Sequence, residues 1–179
     1  MTRDEFGAAA GVTEAVCDRI GLYLDLLEKW QVRINLVGPS TMTDPWRRHV
    51  LDAAQLMPLL PEGQGPVVDM GAGAGIPGLI LAACGVANVH LIESNGRKCT
   101  FLREAARLMG TPVTVHAQRI DAVTLEEPAR VVTARALAPL DALLGHATRF
   151  RGPKTACLFL KGQDVVIELT EAAKSWNMR

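Results

Sequence analysis

Four glycines lie within twelve residues in the segment VVDMGAGAGIPG, residues 67–78. Glycine readily adopts positive φ angles and lets a ligand lie against the main chain, although it costs conformational entropy on folding. The segment begins with a short apolar run that reaches the carboxylate of Asp69. The spacing therefore predicts a ligand-binding turn between a strand and a helix.

Two classes of cofactor fit this turn. The stretch GAGIPG, residues 73–78, matches the GxGxxG pattern of dinucleotide-binding proteins, and Glu93 follows Gly73 by twenty residues, where a carboxylate would bind ribose hydroxyls. Counted from Asp69, the same residues form the pattern DxGxGxG, which is typical of S-adenosylmethionine-dependent enzymes, with Glu93 in the same role. Spacing alone does not distinguish the two.

The charge of Asp69 favours S-adenosyl-L-methionine. A dinucleotide places its pyrophosphate at the helix N-terminus, where a nearby carboxylate would repel it. S-adenosyl-L-methionine instead carries a sulfonium and an ammonium group, which a carboxylate at the end of a strand attracts. A purely structural interpretation remains, in which the turn only connects strand to helix and Asp69 only caps it.

The rest of the sequence predicts a doubly wound α/β fold. Helical spacing of apolar residues covers residues 13–34 and a second segment that begins at residue 44. Strand-like runs then alternate with helical ones, at residues 67–70, 89–92, 113–116, 131–134 and 156–160. Continuous apolar strands of this kind form parallel sheets covered on both faces. We expect a Rossmann-like sheet with residues 1–60 as a helical extension packed on it, all in one domain, residues 1–179.

Composition narrows the possible functions. Nineteen basic residues balance nineteen acidic ones, so any polyanion must be bound by local patches of charge. The four cysteines are scattered without a CxxC motif, so we expect neither a metal site nor a disulfide framework. The sequence shows neither a signal peptide nor an apolar membrane span, so we expect a cytoplasmic protein.

Six blocks of sequence together resemble the bacterial small-subunit rRNA guanine-N7 methyltransferase family, also called glucose-inhibited division protein B. The blocks are INLVG, RRHVLDAAQL, VVDMGAGAGIPG, LIESNGRKCTFLREAARLMG, ARALAPL and LFLKGQ. The glycine motif is common to many methyltransferases, whereas RHVLD, SNGRKCTFL and ARALAPL are far more specific. The resemblance implies methyl transfer from S-adenosyl-L-methionine to N7 of one guanine in 16S rRNA, with the RNA or a ribosomal particle as partner.

The resemblance also implies a set of site residues. It places cofactor contacts at Gly71 and Ile76, at Ile120 and Asp121 beside the adenine, and at Arg135 after the fourth strand. With the residues of the pattern, the candidate cofactor site comprises Asp69, Gly71, Gly73, Gly75, Ile76, Glu93, Ile120, Asp121 and Arg135. Arg135 is also the candidate catalytic residue, since it would lie within reach of the target base. Family members continue into a final antiparallel pair of strands, which we expect the sheet of this chain to lack.

The residue chemistry agrees with methylation at N7. The chain has no Asn/Asp-Pro-Pro-aromatic motif for exocyclic amines, and no cysteine follows a proline as in carbon-5 methyltransferases. Guanine N7 has a free lone pair, so its methylation requires orientation and exclusion of water rather than a base. Two alternatives stay open: a nicotinamide-dependent oxidoreductase, although Tyr23 is the only tyrosine and forms no Tyr-x-x-x-Lys motif, and a non-catalytic RNA-binding relative.

Local cations must supply the contacts to RNA phosphates. Arg97 and Lys98, near the end of the second predicted strand, are better candidates than Arg103 and Arg107, whose spacing indicates a solvent-exposed helix face. The other candidate cations are Arg47, Arg48, Arg135, Arg149, Arg151, Lys154 and Lys161. His49 and Asp52 lie one helical turn apart, and we interpret them as a structural hydrogen-bonded pair rather than a metal or acid–base pair.

Overall fold

The computed structural model describes residues 1–178 and contains a five-stranded parallel sheet. The strands are β1 (Val67–Met70), β2 (Val89–Ile92), β3 (Thr114–His116), β4 (Ala129–Arg135) and β5 (Arg151–Leu160). Their spatial order is β3-β2-β1-β4-β5, which confirms the doubly wound α/β prediction. The last two strands begin earlier than the apolar runs indicate, because Ala129 pairs with Arg151 ahead of a register shift.

Seven α-helices and a π-helical segment surround the sheet within the described residues. The helices are α1 (Arg3–Ala10), α2 (Glu14–Gln31), α3 (Asp52–Ala54), α4 (Gly78–Ala83), α5 (Gly96–Leu108), α6 (Leu140–Ala147) and α7 (Val165–Ala172). The π-helical segment Trp46–Leu51 runs directly into α3, and we call residues 46–54 together the His49 helix. Among residues 1–178, no helix has both the length and the apolar character needed to cross a membrane.

Helix α1 was missed by the sequence analysis, although its start carries a clear signal. Thr2 and Glu5 form a capping box in which each side chain accepts a hydrogen bond from the backbone of the other. Phe6 of this helix is fully buried and lies against Trp46, with ring centroids 5.4 Å apart. Helix α1 therefore packs against the start of the His49 helix.

The N-terminal helices pack on the sheet and also contact the glycine loop, residues 71–77. Ile20 and Leu27 of α2 are fully buried in the same core cluster as Val67 of β1. The buried Tyr23 hydroxyl donates a hydrogen bond to the carbonyl of Ala74, 2.9 Å away. Helix α2 thus supports the loop from one side, as a buried tyrosine must find a partner for its hydroxyl.

All five strands run in the same direction, so their carboxyl ends lie along one edge of the sheet. The order of the strands reverses between β1 and β4, since the chain moves outward from β1 through β2 and β3 before it returns to β4. Ligands of open α/β sheets bind beside such a reversal, outside the carboxyl ends of the strands. The glycine loop follows β1 at this point.

Candidate active site

The glycine loop needs glycine for its backbone conformation. Gly71, Gly73 and Gly75 have φ angles of 64°, 53° and 83°, in the left-handed region that other residues adopt at a cost. A Cβ atom on Gly71 would lie 2.6 Å from Leu137 Cδ1, so the turn after β4 rests directly on this loop. A Cβ atom on Gly73 would meet nothing closer than the Gly71 carbonyl at 3.7 Å, which leaves the loop open there.

Asp69 lies beneath the loop and holds it from the interior. Its side chain has no exposed surface, and its Oδ2 accepts a hydrogen bond from the Gly78 amide at 2.9 Å. Its Oδ1 accepts a second hydrogen bond from the Thr133 hydroxyl at 3.0 Å. Burial raises the pKa of Asp69 to about 6. Asp69 therefore fixes the start of α4 to β1 and β4.

Two of the expected cofactor contacts do not reach the surface of the site. We expected Asp69 to attract the cationic groups of the cofactor, but its carboxylate is fully buried and both oxygens face protein donors. Gly75 is a packing position, because a Cβ atom there would lie 2.7 Å from Leu79 Cβ and 3.0 Å from Leu102 Cδ2. Neither residue lines a cavity at the sheet edge. Their geometry supports a structural contribution to the loop.

Glu93 connects the ends of β1 and β2. Its Oε2 accepts a hydrogen bond from the Gly73 amide at 3.1 Å, and its Oε1 accepts one from the Asn95 amide at 2.8 Å. Asn95 in turn caps α5 through its side-chain oxygen. A carboxylate has about four acceptor sites, so both oxygens of Glu93 retain the capacity to accept from the hydroxyls of a ligand.

Three neighbouring cavities follow the carboxyl edge of the sheet. The first, the Glu93 cavity, has a volume of about 370 Å³ and is lined by Gly71, Glu93, Ile120 and Asp121, so the structure brings these four predicted residues together. The second, the glycine-loop cavity, measures about 480 Å³ and lies between the loop and residues 35–39. It is lined by the remaining predicted residues, Gly73, Ile76 and Arg135.

The third cavity, the Arg135 cavity, measures about 840 Å³. Its walls comprise Thr41, Arg47, Arg48, His49, Asp52, Arg135 and Lys161. Ala136 lines all three cavities and is therefore the residue at which they meet. Its φ angle of 51° is unusual for a residue with a Cβ atom, and such strain persists only where the surroundings hold it. The sequence offered no signal for this conformation.

Arg135 is held by the His49 helix. Its Nη1 donates to the Arg48 carbonyl at 3.2 Å and lies 3.4 Å from Asp52 Oδ2, while its Nη2 lies 2.8 Å from His49 Nδ1. A guanidinium has five N–H groups. Within residues 1–178, the Nε–H group and one Nη2 hydrogen have no protein acceptor. Arg135 is thus fixed in orientation and still has two donors for a ligand.

The interpretation of His49 and Asp52 as a hydrogen-bonded pair is wrong. Neither side chain bonds to the other; both bind Arg135 instead. The second nitrogen of His49, Nε2, lies 2.8 Å from the Thr41 hydroxyl. In the part of the chain that the structure describes, no three His, Cys, Asp or Glu side chains gather in a way that could hold a metal ion.

The cations near the site differ in their exposure and in whether their charges already have partners in the protein. Lys161 forms an ion pair with Glu168 at 2.6 Å and donates to the Ala138 carbonyl at 2.9 Å, so its charge already has partners in the protein. Lys98 is half-buried and lines both the Glu93 and the glycine-loop cavities, while Arg97 is exposed. Arg47 and Arg48 are exposed on the wall of the Arg135 cavity.

The fold and the site together define a class of protein. The sheet order, the glycine turn after β1 and the carboxylate after β2 are shared by Rossmann-like methyltransferases and dinucleotide-binding enzymes. The fold is similar to that of the crystal structure of a ribosomal protein L11 methylase from Lactobacillus delbrueckii subsp. bulgaricus. The TM-score is 0.59 and the identity 17%, over 74% of this chain and 72% of the other, which supports the fold alone.

The sequence relatives identify the family. Residues 16–179 match the model of the family GidB, rRNA small subunit methyltransferase G. A protein of that name from Paramagnetospirillum magneticum is 53% identical over 99% of this chain and 86% of its own length, and one from Rhodospirillum centenum is 55% identical over 98% and 81%. The chain belongs to the GidB family.

Membership of this family decides between the two cofactor classes. It confirms the resemblance drawn from the six sequence blocks, and it identifies the chain as a methyltransferase whose methyl donor is S-adenosyl-L-methionine. The nicotinamide alternative is therefore rejected. The residues that line the Glu93 and glycine-loop cavities fit this cofactor, because they combine an acceptor for ribose hydroxyls, partly exposed backbone at Gly71 and Gly73, and the apolar side chain of Ile120 beside Asp121.

Proposed function

We propose that this enzyme transfers the methyl group of S-adenosyl-L-methionine to N7 of a guanine in small-subunit ribosomal RNA. The family carries the name of that subunit's RNA, and this supports the substrate class. The observation that carries the proposal is the meeting of three cavities at Ala136, because a methyl donor and an acceptor base must come together at one point. The two cavities that contain the glycine loop and Glu93 take the cofactor, and the Arg135 cavity takes the acceptor.

The cofactor binds with its adenosine in the Glu93 cavity. Glu93 accepts hydrogen bonds from the ribose hydroxyls, and Ile120 and Asp121 lie beside the adenine. The methionine portion follows the backbone of Gly71, Gly73 and Ile76, in the glycine-loop cavity. Asp69 and Gly75 stabilise this loop from below, and no contact with the cofactor is assigned to them.

The acceptor guanine lies in the Arg135 cavity. In the reaction, the N7 lone pair displaces the sulfur of the cofactor at the methyl carbon, the C–S bond breaks, and the positive charge moves from sulfur to the guanine ring. Arg135 donates its two remaining N–H groups to guanine O6 or to a phosphate oxygen. A cation beside a base that becomes positive would be unfavourable alone, but Asp52, 3.4 Å from Arg135 Nη1, offsets its charge.

The residues around this cavity agree with a reaction that needs no general base. Burial and the neighbouring Arg135 lower the pKa of His49 to about 4, so its imidazole is neutral and a weak base at neutral pH. None of the four cysteines lines the three cavities, so a cysteine nucleophile is absent from these walls. Orientation and removal of water from the reacting atoms are sufficient for attack by N7.

The exposed cations at the carboxyl edge of the sheet bind the RNA. Arg47 and Arg48 beside the Arg135 cavity and Arg97 at the start of α5 bind phosphates on either side of the target base. N7 is inaccessible in the deep major groove of an RNA helix, so the target is an unpaired or extruded guanine.

This substrate places the enzyme in the cytoplasm. We also propose that the N-terminal helices and the sheet act as one domain, since they share a core cluster.

The test is methylation of small ribosomal subunits that lack the modification. The purified enzyme is incubated with these subunits and tritiated S-adenosyl-L-methionine, and the RNA is then treated with borohydride and aniline, which cleave it at 7-methylguanine. We expect incorporation of tritium and a single new cleavage site in the small-subunit RNA. Large ribosomal subunits serve as the control and should remain unlabelled.

Two results would contradict the proposal. Incorporation of tritium without aniline cleavage would mean that the methyl group is not on N7. Equal labelling of large and small subunits would mean that the enzyme does not recognise small-subunit RNA.

A further inference from the structure

We infer that His49 is a positioning residue, which orients the Arg135 guanidinium and connects it, through Thr41, to the segment at residues 38–41. The inference rests on the proposed function, because it concerns the cavity in which the acceptor base would lie. It concerns a side chain that touches neither substrate nor cofactor in that proposal.

The hydrogen bonds around His49 define its tautomer. The Thr41 hydroxyl lies 2.6 Å from the Gly38 carbonyl, which can only accept, so the hydroxyl donates its hydrogen to that carbonyl. The Thr41 oxygen must therefore accept from His49 Nε2, 2.8 Å away, and Nε2 carries the ring proton. Nδ1 is then the acceptor, and it receives the hydrogen bond from Arg135 Nη2 at 2.8 Å.

A continuous chain of donors and acceptors results. It runs from Arg135 at the end of β4, through the imidazole of His49 and the hydroxyl of Thr41, to the backbone at Gly38. Gly38 lines both the glycine-loop cavity and the Arg135 cavity. These hydrogen bonds thus join two walls of the site, at Gly38 and at Arg135, which lie nearly one hundred positions apart in the sequence.

His49 is well suited to position Arg135 and poorly suited to act as a base. It is only 2% exposed, and its one available lone pair already accepts from Arg135. Two positive charges act on the ring, those of Arg135 and Arg48, while Asp52 contacts Arg135 and lines the same cavity. Burial and the positive charge of Arg135 keep the pKa of His49 low, so the ring stays an acceptor throughout the neutral range. A protonated ring would lose this lone pair and repel the guanidinium.

The orientation of Arg135 depends on this contact. An arginine side chain loses considerable rotamer freedom when it is fixed, and protein acceptors that fix it beforehand remove that cost from the binding step. The bond to His49 is the shortest of its three contacts with protein acceptors. It occupies one hydrogen of Nη2 and thereby directs the other toward the cavity.

The test compares His49→Leu with His49→Gln. Leucine keeps the apolar bulk and removes both hydrogen bonds, whereas glutamine keeps an acceptor for Arg135 and a donor for Thr41. We expect His49→Leu to lower kcat for methyl transfer to small subunits by about tenfold to 100-fold, with the cofactor Kd changed less than threefold. His49→Gln should recover most of the lost activity, and Thr41→Val, which breaks the chain one step further away, should give a smaller loss of kcat.

A purely structural role predicts a different pattern. Both His49 variants would then lower the melting temperature while kcat per folded molecule stayed unchanged, and that result would overturn the inference. If the wild-type enzyme fails to methylate small subunits, the proposed function fails. The inference is then tested by the protonation state of the His49 ring alone.

Nitrogen NMR of the histidine ring supplies that independent measurement. The ¹⁵N shifts should show a neutral ring with its proton on Nε2 from about pH 8 to pH 5. A proton on Nδ1, or titration near the ordinary histidine pKa, would overturn the inference whatever the activity. The Arg135→Ala variant should raise the pKa of His49, because it removes the neighbouring positive charge.

Discussion

The glycine loop and the Arg135 site are adjacent at the carboxyl edge of the sheet, but different kinds of contact hold them. In the loop, carboxylates near the ends of β1 and β2 accept hydrogen bonds from backbone amides, as Asp69 does from Gly78 and Glu93 from Gly73. At the Arg135 site, side chains from three separate segments bind one another, with His49 and Asp52 both on the guanidinium. The first region is held mainly by bonds to backbone amides, with support from Tyr23 and Thr133, whereas the second is formed by contacts between segments distant in sequence.

The difference separates the two binding tasks of the enzyme. A cofactor that is the same in every turnover can be bound by a rigid loop whose geometry is set by close packing. A base within folded RNA must be brought to the methyl group, and a side-chain network with unused donors can receive it. Substitutions in the loop should therefore affect folding and cofactor binding, whereas substitutions around Arg135 should affect methyl transfer.

The largest expected effect is on stability, at Gly75. The Gly75→Ala variant places a methyl group 2.7 Å from Leu79 Cβ at a φ angle of 83°, so it combines overpacking with backbone strain. We expect the free energy of unfolding to fall by about 3–5 kcal/mol. Denaturation in urea measures this loss.

The matched control is Gly110→Ala. Gly110 also has a positive φ angle, 59°, but a Cβ atom there would meet nothing within 4 Å. Its loss should be limited to the backbone term of about 1–2 kcal/mol. Equal losses at the two positions would show that close packing of the loop contributes nothing.

Arg135→Ala should have the next largest effect, and on methyl transfer rather than on cofactor affinity. The variant removes a charged donor from the acceptor cavity, so we expect kcat per folded molecule to fall by a factor on the order of 100. The cofactor Kd, measured by calorimetry, should change less than threefold. Equal losses in both quantities would assign Arg135 to the cofactor instead.

Arg103→Ala is the control for this substitution. Arg103 is an exposed arginine of α5 and lines none of the three cavities. Its removal should leave methyl transfer unchanged. A comparable loss at Arg103 would mean that any lost positive charge reduces RNA binding.

Glu93→Gln should weaken cofactor binding. An amide has one acceptor oxygen where the carboxylate has two, so it cannot both hold the loop and bind ribose. We expect the cofactor Kd to rise by about tenfold to 100-fold, with the same relative loss for S-adenosylhomocysteine. The exposed Glu126, changed in the same way, is the control. An unchanged Kd in the Glu93 variant would remove this carboxylate from the cofactor site.

Asp69→Asn should change stability with the opposite sign. The pKa of Asp69 is raised from 3.8 to about 6, so the folded state holds a proton that the unfolded state releases between these values. The stability of the wild type must therefore fall as the pH rises through this range. Asparagine accepts from Gly78 and donates to Thr133 without a charge, so the variant should be more stable at pH 7 by up to about 3 kcal/mol.

The pH dependence distinguishes this explanation from a general effect of the substitution. The advantage of Asp69→Asn should disappear at a pH of about 3 and below, well under the unfolded-state pKa of 3.8, where the wild-type carboxyl is protonated in both states. A variant that is less stable than the wild type at pH 7 would show that the buried carboxylate is stabilised by its donors more than it is destabilised by burial.

The sequence predicted the first region better than the second for a physical reason. Positive φ angles, a strand-end carboxylate and a following helix are local features, so the spacing of Gly71, Gly73 and Glu93 was sufficient to predict them. The burial of Asp69 was not predicted, because it depends on Thr133 in a strand that pairs with β1 from far along the chain. The same pattern of residues is compatible with an exposed and with a buried carboxylate.

The Arg135 site could be predicted only in part. The resemblance placed Arg135 at the end of β4, but the helical spacing of His49 and Asp52 indicated a contact between these two residues alone. Their shared partner becomes visible only when the His49 helix packs beside β4. Likewise, an alanine in the left-handed region leaves no trace in composition, so the positive φ angle of Ala136 became visible only in the structure.

A crystal structure of the enzyme with S-adenosylhomocysteine tests the central claim most directly, since that claim is the division of the sheet edge into a cofactor side and an acceptor side. We predict ribose hydroxyls within hydrogen-bonding distance of Glu93, adenine beside Ile120 and Asp121, and sulfur facing Ala136 with the Arg135 cavity open behind it. A ligand that filled the Arg135 cavity, or one whose ribose had no contact with Glu93, would contradict the account.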